Sequence, residues 1–274
     1  MIHLLAAEWY RLWKRKLIWA MVLALPLAAF ASATYYQGAN ASVSPDLPQY
    51  AVVGNFPVLA IAEMIYFFDL LLIALVATIW TEEIRSGQLR MVLLRISDFH
   101  RIWWAKIGVL LGTVLLLLLL YLGCSYVAGY FLLPHTEQFP LFYRAGQVGV
   151  WEGMWYNLQY YGIAYLTLVS FAGFLILMGS ICRTVTGALG AGMSFLLFSF
   201  MYPYVASYFI PLIGEEVYQK IFFSSLPMIQ WEGIVHLLSD HSTGAGWMVG
   251  ILLLYPLLFG LPAMLLLSRK DQWY

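Results

Sequence analysis

Six long stretches of the chain carry almost only apolar side chains, and charged, aromatic or turn-forming residues separate each from the next. They run from about Leu17 to Tyr36, Phe56 to Trp80, Ile107 to Leu133, Leu158 to Ile181, Gly187 to Leu212 and Gly246 to Leu267. Each supplies the ~20 residues that a helix needs to cross a hydrocarbon core, where every backbone amide must find its partner within its own segment. The pattern predicts an all-α integral membrane protein, a single transmembrane domain of six spans over residues 1–274. Within the third span the run Leu115 to Leu120 reads as lipid-facing surface.

Residues 1–16 follow a different period. Ile2, Leu5, Trp9 and Leu12 recur at three and four, while Glu8, Arg11 and Arg15 share another face, so this leader reads as an amphipathic helix on the membrane surface. A basic leader before an apolar run ending in Ala31-Ser32-Ala33 also has the form of a signal peptide. Trp9, Tyr10 and Trp13 fit the interfacial helix better.

Composition agrees with the pattern: 62% apolar, 10% charged, mean hydropathy +0.80. Fourteen basic and fourteen acidic residues cancel, which leaves no basic surface for nucleic acid. Their placement is uneven, and that orients the chain. Arg11, Lys14, Arg15 and Lys16 precede span one; Arg85, Arg90, Arg95, Arg101 and Lys106 lie between spans two and three; Arg183 follows span four, and Arg269 and Lys270 follow span six. Short positively charged segments stay cytoplasmic, so the chain is expected to be a multi-pass membrane protein with both termini inside. The outer segments hold only Arg144 and Lys220, beside Trp151, Trp155, Trp231 and Trp247 at the interface. Cys124 and Cys182 both fall in apolar runs and read as small core residues.

The segment from Thr81 to Lys106 is too patterned for a passive turn. Glu82 and Glu83 suit the start of a short helix and Arg90 and Arg95 its later turns, with Gly87 allowing a break. The simpler reading is a solvated loop whose arginines fix topology.

The leader Leu5-Ala-Ala-Glu8-Trp-Tyr-Arg-Leu-Trp-Lys14-Arg-Lys16, together with Glu83-Ile-Arg-Ser-Gly87, Arg101 and Lys106, resembles the membrane subunit of type-2 ATP-binding-cassette exporters. Gln88 stands where many members carry Thr, and Ser97-Asp-Phe-His-Arg101 replaces Pro-x-Ser-Arg. The resemblance implies an amphipathic leader, a cytoplasmic coupling helix between spans two and three, and a permease in a bacterial plasma membrane that exports a hydrophobic or amphipathic substrate such as a lipid, peptide antibiotic or drug, in resistance or immunity. Its partners would be cytoplasmic ATPase subunits, which hold ATP and Mg, and a second permease subunit, all in membrane lipid. Glu8, Arg11, Glu82, Glu83, Arg85, Gly87 and Arg101 would then meet the ATPase. This chain has no G-x-x-x-x-G-K-[ST], since Gly precedes none of its five lysines, so the expected subunit has no catalytic residues, cofactor or metal of its own. Gly108 with Gly112, and Ala188 with Gly192, have the spacing that lets helices approach closely.

Asp69, near the middle of span two, is costly in a membrane, by at least ~2.5–3.5 kcal/mol on insertion scales, and Glu63 lies six residues nearer the outer surface. Both are candidates for a translocation pathway; the alternative for Asp69 is a hydrogen-bonded acid that locks packing. Between spans five and six, Glu232, His236 and Asp240 recur every four residues, followed by His241, and Glu215-Glu216 with Lys220 is similar to the E-E-x-x-x-R of CAAX-type proteases with lysine in place of arginine. A membrane-embedded metal-dependent hydrolase is therefore one alternative, and an ion-coupled secondary transporter using Asp69 another. Short re-entrant or interfacial helices between Pro211 and Pro227 are the plain reading of this segment. Asn40-Ala-Ser42 is a sequon on the outer side.

Overall fold

The structure, a computed structural model, describes residues 2–87, 99–144, 146–240 and 244–268. Six of its helices are long and apolar enough to cross a membrane: Lys16–Ser42, Phe56–Arg85, Phe99–Leu132, Val150–Ile181, Val185–Ser207 and Ala245–Ser268. The protein is an all-α, multi-pass membrane protein. Spans two and four bury 56% and 61% of their most apolar window, whereas spans five and six bury 17% each. Spans two and four therefore make the core. Spans one and three pack on one side of it, and spans five and six complete the other.

Most helices run past the limits of their apolar stretch. Span two continues from Phe56–Val76 through a π-helical turn, Ala77–Thr81, into Glu82–Arg85. Glu82 and Glu83 thus end span two instead of opening a separate helix, which corrects the sequence expectation. Helix hydrogen bonding persists to Ser86, and Gly87 then takes a left-handed φ of 72° that stops it. Gln88, Arg90, Arg95, Ser97 and Asp98, to which the rest of the coupling helix was assigned, lie outside the described residues, as do His241, Arg269 and Lys270. Span three already begins at Phe99, so Lys106 belongs to a helix and not to a loop.

The leader forms a helix, Ile2–Trp13, and an extended Arg15 separates it from span one. It lies across the start of span three. A Cβ on Gly112 would sit 3.2 Å from the Trp9 ring, and one on Gly108 would sit 3.4 Å from Leu5. The first pair of small residues therefore seats the leader. The second pair also works within the chain: a Cβ on Gly192 would stand 2.8 Å from Leu175 and 3.0 Å from Ile73.

At the opposite end a two-stranded antiparallel hairpin, β1 (Gln138–Pro140) and β2 (Gln147–Gly149), pairs Phe139 with Val148. Three-residue strands are too short to leave a periodicity, and the sequence reading has none there. Phe139 is buried between Gly54 and Gly153, where an added Cβ would come within 2.1 Å and 2.3 Å of its ring. Asn40 is committed here as well: its side chain donates to the Ala51 carbonyl at 2.8 Å and accepts from the Ala51 N–H at 2.9 Å, which pins the loop after span one.

The segment between spans five and six folds into short helices. Glu215–Phe222 lies at the surface with no buried residue. Leu226–Met228, a π-helical turn Ile229–Gly233 and Ile234–Leu237 follow as one run. Leu226 to Gln230 are all buried, so this second run dips into the bundle against spans two and four.

Candidate functional site

At the end where most Lys and Arg gather, the leader, the end of span two and the start of span three meet in a joint of three carboxylates and three cations. The backbone explains why it is needed. Glu82 and Glu83 sit at the carbonyl end of a long helix, where the dipole disfavours negative charge, and Glu83 is 3% exposed. Cations from two other elements compensate. Arg11 donates to Glu83 and to Glu8, each at 2.5 Å; Arg15 donates to Glu82 at 2.6 Å and to Glu83 at 3.2 Å. Lys106, 1% exposed, pairs with Glu83 and lies 3.3 Å from Glu8, with its ammonium over the Trp80 ring. The cavity among these side chains is only about 10 Å³, about the least that holds one water. The joint is closed, with no room for a ligand larger than a water.

Of the seven residues assigned to an ATPase surface, Glu8 and Glu83 are buried in this joint and Arg11 is partly buried in it. Glu82, Arg85 and Arg101 are exposed and Gly87 is half-buried. On the leader Glu8 and Leu12 are buried and Arg11 half-buried, while Ile2 and Tyr10 are exposed.

In the middle of the bundle Asp69 is fully buried. Its Oδ1 accepts from Gln230 Nε2 at 3.1 Å, and the same amide reaches Thr167 Oγ1 of span four at 3.2 Å. Gln230 comes from the inward π-helical turn, so one amide ties three elements together. The sequence reading missed Gln230; its only signal was a polar residue among Leu226, Met228, Ile229 and Trp231. Asp69 borders neither of the two outer cavities described next.

Those cavities lie at the far end, and Glu232 borders both. The first, about 560 Å³, is lined by the surface helix Glu215–Phe222, His236 and Trp247. In it Lys220 donates to Glu216 at 2.8 Å and holds that carboxyl below its ordinary pKa. His236 is occupied by rings, stacking on Tyr143 at 4.8 Å with its edge toward Phe223. Among the described residues no three His, Cys, Asp or Glu side chains are grouped to hold a metal ion. Cys124 and Cys182 are free thiols, each half-buried.

The second cavity, about 430 Å³, lies between the ends of spans one and two, the hairpin loop and the inward run. Glu63 and Glu232 line it. Tyr36 donates to Glu63 at 2.9 Å and so fixes its carboxylate. Glu63 and Asp69, paired in the sequence reading, thus have different settings: one on an open cleft, the other in a sealed core.

A family profile described as a protein of unknown function, DUF2705, matches residues 20–273. The chain belongs to that family. The match takes in Glu63, Asp69, Glu82, Glu83, Lys106, Gln230 and Glu232, and leaves the leader residues Glu8, Arg11 and Arg15 outside it. No curated protein matches the chain.

Proposed function

We propose that this member of the DUF2705 family is the permease subunit of an ATP-driven exporter, without an ATPase site of its own, in a plasma membrane of bacterial type with both termini cytoplasmic. The observation that carries this reading is the charged joint. A leader helix that merely anchored the chain would need its apolar face in lipid and its charges in water. This one turns Glu8 and Arg11 toward Glu83 and Lys106 and is thereby bolted to spans two and three. Force applied from the cytoplasm to the leader, or to the segment between spans two and three, therefore passes directly into span two, the most central rod with span four. Span two carries it through Asp69 and Gln230 to the outer segment that borders both cavities.

Glu82, Arg85, Gly87 and Arg101 lie on the cytoplasmic face of that joint and are the residues we assign to ATPase contact; Glu8, Arg11 and Glu83 support them from beneath. The weakly buried spans five and six, with Leu197, Phe198, Met201 and Tyr204 outward, offer an apolar face for a second permease subunit. The exported substrate is hydrophobic or amphipathic, such as a lipid, peptide antibiotic or drug, in keeping with resistance or immunity.

The test is purification of the tagged chain from its native membrane in mild detergent. A P-loop ATPase should accompany it in stoichiometric amount, and Arg85→Glu with Arg101→Glu should release that ATPase without unfolding the chain. A chain that purifies with no ATPase partner, and moves substrate in vesicles without ATP, overturns the reading.

A further inference from the structure

The second outer cavity combines features that a structural packing defect would not. Its walls are aromatic, with Tyr35 and Tyr36 from span one, Phe142 and Tyr143 from the hairpin loop and Trp231 from the inward run. Its charged lining consists of Glu63 and Glu232 alone, with no Lys, Arg or His. Neither carboxylate has an ion-pair partner among the described residues, and both are exposed. Tyr160, 1% exposed, also lines the cavity, and its hydroxyl finds no hydrogen-bond partner among the described residues. A buried hydroxyl without a partner costs roughly 1–3 kcal/mol, and a polar group on a molecule in the cleft would offset that cost.

The backbone is also held in a costly form here. Tyr143 has φ 55°, which a bulky side chain rarely adopts, and its carbonyl accepts from the Asp240 N–H while its ring stacks on His236. The hairpin loop thus holds an aromatic ring on the rim of the cleft. Two unneutralised carboxylates among Tyr and Trp faces form the surroundings that attract an organic cation, through charge and through the ring quadrupoles. The volume of about 430 Å³ falls in the range of small-molecule sites.

We propose that this cleft binds a cationic amphiphile, an ammonium or guanidinium group on an apolar body, with Glu63 and Glu232 meeting the charge and the aromatic walls meeting the body. The site's place in an export route rests on the permease reading; the binding itself does not. The same chemistry comes from two sources, the headgroup of an aminophospholipid or a cation arriving from outside.

The experiment uses the full chain in nanodiscs of phosphatidylglycerol, whose headgroup carries no cation, with radiolabelled tetraphenylphosphonium as probe and empty discs as baseline. Saturable binding is expected, whereas labelled tetraphenylborate, the same shape with opposite charge, should show none when measured in separate discs. Glu63→Gln and Glu232→Gln should each weaken binding at least fivefold and together remove it, while Glu216→Gln in the neighbouring cavity leaves it unchanged. Equal affinity for the two probes, or wild-type binding by the double variant with an unchanged size-exclusion profile, overturns the proposal. In discs with added phosphatidylethanolamine, loss of binding identifies the resident cation as a lipid headgroup, and retention identifies it as a soluble amphiphile. No ATP or ATPase is present, so failure here leaves the co-purification test untouched, and failure there leaves this one standing.

Discussion

Lys106 illustrates how a residue's meaning changes once its neighbours are known. As a letter after Trp103-Trp104-Ala105 it is one more positive charge that fixes topology. In the fold it is almost wholly buried and neutralises two carboxylates from separate elements. Removing one member of a buried ion pair strands the others, at about 3–5 kcal/mol. Lys106→Met should therefore lower stability by about that amount, and combining it with Glu83→Leu should recover part of the loss, as measured by a double-mutant cycle of thermal unfolding in detergent. If the double variant is as unstable as the sum of the singles, the pair is not coupled. Asp69 gives a second case. Gln230→Leu removes the one hydrogen-bond donor to Asp69 among the described residues and should cost roughly 1–3 kcal/mol, whereas Gln230→Glu tests whether the position tolerates a second acid. Both belong to the same melting series.

At the scale of elements, glycine decides two joints. Gly112 lets the leader's Trp9 lie against span three, so Gly112→Leu should lift the leader without harming the spans. Limited proteolysis would then cut the leader early while the remaining core stays folded; equal resistance in variant and wild type would show that the leader is held by its charges alone. At the other end Gly153→Val would drive a side chain into the Phe139 ring, and the hairpin should detach at a cost of roughly 1–3 kcal/mol or more. Gly108-x-x-x-Gly112 is visible in the sequence as a spacing, but its partner is not: the motif says that something approaches closely, and only the fold shows that this is the leader, through Leu5 and Trp9. The ends of spans two and three were misplaced for a related reason. Hydropathy marks where lipid begins, whereas a helix ends where its hydrogen bonds end, and these extend to Arg85 and back to Phe99.

For the whole molecule the decisive asymmetry is mechanical. The charged end is clamped by ion pairs, the middle is tied by hydrogen bonds such as Gln230 to Asp69 and Thr167, and the far end carries two open cavities. If the permease reading holds, deleting residues 2–13 should leave six folded spans yet abolish ATP-dependent transport, with membrane insertion followed by blotting and transport followed in inverted vesicles. Transport at the wild-type rate by the truncated chain would remove the leader from the mechanism. The sequence by itself determined the class: six spans of sufficient length, a leader of different period and a charge bias all follow from local composition, because insertion into lipid is priced residue by residue. Only the tertiary structure decided which charges are spent on one another, that Gln230 reaches Asp69 across 161 positions, and that Glu63 and Glu232 share one aromatic cleft. Those are contacts between distant segments, and packing, unlike hydropathy, leaves no period in the chain to be read.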